Sequence, residues 1–208
     1  HPKAQMKSLI TVEDVLNSRK IADPLKMLDC SLVSDGGAAV VITQRDRAKV
    51  SPQKPIFILG YGEGHAYEHI SQAKTLTSSA ATVSGKAAFE AAGLTVDHID
   101  LIQLYDCFTP ALLIQLEDLG FCGKGEGGAF LASGATRPGG SKPLNTHGGM
   151  LSYCHPGNPG AMFGLTETIC QMRGSAGNRQ LDNVKVALLH AQGGIMSSHA
   201  TLILGIED

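Results

Sequence analysis

The 208-residue chain has no tryptophan, no C-x-x-C pair and no apolar run near the ~20 residues that cross a bilayer. Each absence removes a class. Without paired cysteines there is no zinc knuckle or disulfide framework; Cys30, Cys107, Cys122, Cys154 and Cys170 are odd in number and irregularly spaced. They read as reduced thiols in a cytoplasm-like compartment. The opening HPKAQMKSLITVEDVL holds no signal-peptide hydrophobic stretch. A net charge of -2 gives no electrostatic ground for nucleic acid, and the hydropathy gives none for membrane insertion. With 43% hydrophobic and 17% charged residues, the chain is neither disordered nor a coiled coil.

What is present is glycine, 25 residues of it, between alternating strand and helix patterns. Thr11 and the acidic pair Glu13–Asp14 predict a helix start. SDGGAAVVIT (34–43) predicts a turn leading into a buried strand, and RDRAKVSPQKP marks a boundary near 44–55. Strands are expected at 55–61, 98–105, 183–190 and 199–206, and helices at 78–93, 108–120 and 157–174. That alternation predicts an α/β layered fold. The glycine-rich stretch 121–150 has no strong periodicity, and its length inside such a domain points to function.

Three stretches place reactive side chains at strand ends or helix starts, where open α/β sheets hold ligands. They are Tyr105-Asp106-Cys107-Phe108, NTHGGMLSYCHPGNPG (145–160) and His190-Ala-Gln-Gly193-Gly194. Taken singly, each has a plain reading: Asp106 caps the helix near Thr109, His155 is a turn residue, and Gly193–Gly194 is a turn. GFCGKGEGG (120–128) misses phosphate-loop spacing, and His65 and His69 lie in a glycine-broken stretch unsuited to a helical metal pair. Cys107 and Cys154 read as small buried fillers.

Together the three stretches follow one pattern. Asn145-x-x-Gly148-Gly149-x5-His155-Pro156-x3-Gly160 resembles the N-x-x-G-G…G-H-P loop of thiolases. Tyr105-Asp106-Cys107-Phe108 stands where thiolases carry Asn-Glu-Ala-Phe or His-Asp-Cys-Phe, and the His190 stretch where they carry Cys-x-Gly-Gly-Gly. SDGGAAVVIT is similar to the strand that ends their first domain. The likeness is nearest to the sterol-carrier-protein, lipid-transfer branch, and it covers the whole chain.

The resemblance implies a thiolase-like layered fold, a C-terminal βαβαβαββ-type half with helices on a mixed sheet. Residues 1–52 would be the tail of the N-terminal domain, a helix and its last strand, and 53–208 the C-terminal domain. It implies a coenzyme A thioester as substrate, no tightly bound cofactor or metal, a homodimer, and for the aldolase branch a small subunit with zinc and an OB-fold. It puts the nucleophilic cysteine upstream of His1. His190 stands in place of the acid/base cysteine, and Tyr105 with Tyr153 resembles the steroid side-chain aldolases. His155 would face the thioester oxygen, Tyr105 and Tyr153 would move protons, and Asp106, Asn145, Gly148, Gly149, Gly193 and Gly194 would bind substrate. Thiolysis needs a thiolate to take the acyl group. Retro-aldol cleavage needs only a base for the β-hydroxyl and donors for the enolate oxygen. The expected reaction is therefore retro-aldol cleavage of a β-hydroxyacyl-CoA. A true thiolase and a non-catalytic thiolase-like subunit are the alternatives.

Overall fold

The computed structural model describes residues 1–206, so the last two residues of the expected C-terminal domain lie outside it. Helix α1 (Val12–Asn17) begins at the expected cap: the Thr11 hydroxyl accepts from the Asp14 amide and the Asp14 carboxylate accepts from the Thr11 amide. A small hairpin, β1 (Lys20–Ala22) and β2 (Leu25–Lys26), follows. The strand expected at 34–43 is not formed. Strand structure requires a hydrogen-bonding neighbour, and no described strand runs beside this segment; Val33 and Val41 are 96% and 95% exposed. The polar boundary after it folds into the short helix α2 (Arg45–Lys49).

Residues 57–205 form a layered α/β unit. Its sheet has the order β3 (Phe57–His65), β6 (Ser198–Gly205), β5 (Val186–Gly193), β4 (Leu101–Gln103). The first two pairings are antiparallel and the last is parallel, so the sheet is mixed as expected. Helices α3 (Ala81–Ala92) and α4 (Thr109–Asp118) cover one face, where Ala88, Ile102, Leu116, Leu188 and Ile203 are sealed together. Helix α7 (Gly160–Met172) covers the other, over Leu101, Ala187 and Leu204. The two-residue period of β4 explains the division: Leu101 faces α7, Ile102 the opposite layer.

Glycine decides how closely α3 lies on the edge strand. A side chain at Gly60, Gly62 or Gly64 would overlap the carbonyls of Ala88, Ser84 and Ala80, so the bare strand lets the helix backbone rest on it. The stretch 121–150 is not structureless; it holds α5 (Gly127–Ala132) and the start of α6 (Gly149–Ser152). Among the described residues no helix is long and apolar enough to cross a membrane.

Candidate active site

Strand β4 ends at Gln103, and the backbone groups of the next two residues pair with two side-chain amides in place of a neighbouring strand. Asn145 accepts from the Leu104 amide at 2.9 Å and donates to its carbonyl at 3.1 Å. Gln115 of α4 does the same for Tyr105, at 3.0 and 2.8 Å. Asn145 adopts φ 45°, a left-handed conformation that asparagine tolerates.

Asp106 then turns inward. It does not cap α4, the plain reading of the sequence; its carboxylate accepts from the amides of Met150 and Leu151, holding the start of α6. The carboxylate occupies the space that a side chain at Gly149 would fill, and Gly149 has φ 64°. Burial pushes the Asp106 carboxyl up to about 6, against the pull of those amides.

Above this base the Tyr105 hydroxyl lies 2.9 Å from His155 Nε2, the rings edge to face. His155 Nδ1 lies 2.6 Å from the Ser31 hydroxyl, and the His155 amide donates to Ser34 at 2.8 Å. Gly160, the first residue of α7, leaves room for both rings. Burial raises the Tyr105 phenol and lowers the His155 imidazole, so both are neutral at pH 7. Tyr105, Asp106, Asn145, Gly148, Gly149 and His155 are thus brought together.

Tyr153 is placed differently. Its ring packs against His1, His147 and Phe163, with centroids 4.3, 5.6 and 5.8 Å away. Its hydroxyl is not part of the Tyr105–His155 line. Behind it Glu167 takes two hydrogen bonds from Arg179, at 2.8 and 3.2 Å, and one from Thr146.

His190 is not brought to this site either. It is fully buried, with Nδ1 2.8 Å from the Thr201 hydroxyl and Nε2 3.0 Å from His199 Nδ1. The alternation of β5 explains why. His190 points to the α3 layer, while its neighbour Leu189 points to α7. Gly193 is exposed at the strand's end, and Gly194 enters a left-handed turn at φ 57°.

Cys107, beside Asp106, is not poised as a nucleophile. Burial pushes the Cys107 thiol up to about 11, and Gln192 donates to its sulfur at 3.3 Å. Among the described residues no three His, Cys, Asp or Glu side chains gather as a metal site. Two surface clefts, of about 500 and 260 Å³, do not include Tyr105 or His155.

Ser31, Ser34, Gln115 and Gln192 escaped the reading of the sequence. Ser34 opens the segment read as turn and strand, and Ser31 lies just before it. Gln115 did carry a signal: a lone amide inside the apolar run ALLIQLEDL, and it is fully buried.

The layered sheet, the glycine loop and the histidine facing α7 define a thiolase-like domain. Residues 62–206 match the family described as thiolase C-terminal domain-like. The chain belongs to the thiolase superfamily, in the branch of sterol-carrier-type thiolases and steroid side-chain aldolases. It is 40% identical to a 17-hydroxy-3-oxo-4-pregnene-20-carboxyl-CoA lyase of Mycobacterium tuberculosis, over 94% of this chain and 50% of that one. It is 37% identical to an acetyl-CoA acetyltransferase of Methanothermobacter thermautotrophicus, over 93% of this chain and 51% of the other. Among solved structures, one described as the Ltp2-ChsH2(DUF35) aldolase matches with TM-score 0.86 and 37% identity, over 95% of this chain and 51% of that one. The chain spans about half the length of the curated relatives it matches.

Proposed function

We propose that the chain is the C-terminal part of an enzyme acting on acyl-CoA thioesters, and that its reaction is retro-aldol cleavage of a β-hydroxyacyl-CoA. The observation that carries this is the neutral Tyr105–His155–Ser31 line. The Tyr105 oxygen accepts the substrate's β-hydroxyl proton as its own proton passes to His155 Nε2. The Cα–Cβ bond then breaks, an aldehyde or ketone leaves, and its electrons enter the thioester enolate. Return of the proton to Cα completes the cycle with no acyl-enzyme and no thiolate. A proton-transfer pair of this kind supplies typically 10²–10⁴-fold in rate.

In this reading Tyr105 and His155 are catalytic, and Tyr153 is the second proton-transfer candidate, reached through bound substrate. Asn145, Asp106, Gly148 and Gly149 shape the wall that receives the thioester, with Gly193 and Gly194 on its other side. Residues 1–52 are the tail of an N-terminal domain and 53–208 the C-terminal domain, so Ser31 reaches His155 across that division. The coenzyme A thioester is substrate, with no tightly bound cofactor. A homodimer and a small zinc- and OB-fold-containing partner subunit complete the proposal; the two-component description of the Ltp2-ChsH2 aldolase supports a partner.

The test uses the full-length protein with a β-hydroxyacyl-CoA and, separately, a β-ketoacyl-CoA plus CoA. Release of aldehyde or ketone from the first, independent of free CoA, is expected. Turnover of the second alone assigns the chain to thiolysis, and turnover of neither assigns it to a non-catalytic role.

A further inference from the structure

Between β5, β6 and α3 a line of polar groups runs through an otherwise apolar layer. The Ser84 hydroxyl lies 2.9 Å from that of Thr201, which lies 2.8 Å from His190 Nδ1. His190 Nε2 lies 3.0 Å from His199 Nδ1, and His199 Nε2 lies 3.0 Å from the Met196 carbonyl. Ser84, His190 and Thr201 are fully buried and His199 is 2% exposed.

Only one polarity satisfies both imidazoles and Thr201 while the rings are neutral. A carbonyl only accepts, so His199 carries its proton on Nε2 and presents a bare Nδ1. His190 must then donate through Nε2, which leaves its Nδ1 to accept from Thr201. The Thr201 oxygen in turn is open to the Ser84 hydroxyl, whose proton the Ala81 carbonyl at 3.3 Å can also accept. The terminal carbonyl fixes both tautomers.

That carbonyl belongs to an unusual turn. Gly194, Ile195 and Met196 have φ 57°, 55° and 63°, and the Ser197 amide closes onto the Gly193 carbonyl at 3.1 Å. This is one turn of left-handed helix, in which β-branched Ile195 adopts a conformation such residues rarely take. Such strain persists only where the surroundings over-determine it, and it concentrates at functional sites. The turn leaves β5 at Gly193, the residue after Gln192. Gln192 donates to Cys107 Sγ and accepts from Gln115 at 3.3 Å, and Gln115 holds both backbone groups of Tyr105.

We propose that Ser84, Thr201, His190 and His199 form a directed hydrogen-bond line that locks the left-handed 194–196 turn, and that His190 and His199 are positioning residues for the Tyr105 site. His190 then replaces an acid/base group of the thiolase pattern with a structural strut. Burial, reinforced by His199, holds the His190 imidazole down to about 3, and burial lowers His199 as well, so both rings are neutral near pH 7. The link to catalysis rests on the proposed function; the lock on the turn does not.

Two variants of the full-length protein separate the links. In His199→Gln the amide nitrogen falls near the former Nε2 and keeps the bond to Met196. In His199→Asn the amide keeps the bond to His190 and loses the one to Met196. His199→Asn is expected to speed amide hydrogen exchange at 193–198 and to lower kcat by about tenfold or more, with KM within about twofold. His199→Gln, which keeps the bond to Met196 but leaves His190 Nε2 without its acceptor, should restore both only in part. In the wild-type protein, histidine-selective nitrogen spectra should show His190 as a neutral Nε2–H tautomer from pH 5 to 8 and His199 as the same tautomer at pH 7 to 8, a readout that stands even if a variant fails to fold. An Nδ1–H tautomer at either ring overturns the line. So does a wild-type exchange rate in His199→Asn, and faster exchange with unchanged kcat overturns the positioning role. If the wild-type protein turns over no acyl-CoA, the proposed function fails, while the tautomers and the exchange contrast still decide the lock.

Discussion

His155 lies between two hydroxyls and His190 between a hydroxyl and a second imidazole, and these surroundings give them opposite capacities. The line through His155 ends on Tyr105 and Ser31, two hydroxyls that each donate or accept. A proton can move along it and the polarity can invert. The line through His190 ends on the Met196 carbonyl, which cannot invert, and it is sealed in the core. A histidine at a motif position is therefore assigned by what terminates its hydrogen bonds, since residue type alone is the same in both places.

The largest effect expected from breaking this contrast is at Tyr105. Tyr105→Phe keeps the ring packed against His155 and removes only the hydroxyl, so turnover should fall on the order of 10² or more with the fold intact by circular dichroism. Tyr153→Phe should cost less, about tenfold, because no base receives the Tyr153 proton directly; a loss equal to that of Tyr105→Phe would show that the two phenols act as one unit. Ser31→Ala should cost about tenfold and Ser31→Thr should recover most of it, since the Ser31 hydroxyl orients the imidazole that receives the proton.

A subtler distinction lies in acid stability. A histidine whose folded pKa is depressed contributes stability that is complete above its unfolded value near 6.5 and is lost as pH falls toward the folded value. For His190 that window runs from 6.5 down to about 3, with a limiting slope of about 1.4 kcal/mol per pH unit. Asp106 acts in the opposite sense. Its carboxyl is raised from 3.8 to about 6, so its contribution is present below 3.8 and lost as pH rises through 6. Denaturant midpoints of the wild type and His190→Phe, compared from pH 7 to pH 4, isolate the histidine: the wild type should lose more stability than the variant across that range. Parallel curves would mean that His190 is not held neutral by the fold.

The elements read from the sequence were those whose signal is local. Helices α3, α4 and α7 and strands β3, β5 and β6 announced themselves by apolar runs and glycine stops. Helices α5 and α6, six and four residues long, are too short to show a period. The segment 34–43 has the composition of a strand, but strand formation belongs to a pair. The site divides the same way. Tyr105 and His155 stood at motif positions, whereas Ser31 lies 124 positions from His155 and is joined to it only by folding. His190 was visible but misleading. Nothing in its immediate neighbours shows that the alternation of β5 would turn it toward α3.

The most direct measurement is steady-state release of the carbonyl product from a β-hydroxyacyl-CoA by the full-length enzyme and its Tyr105→Phe variant. CoA-independent release, with kcat reduced on the order of 10² or more in the variant and KM changed only a few fold, is the predicted result. A variant that turns over at the wild-type rate would contradict the assignment of Tyr105 and His155 as the proton-transfer pair.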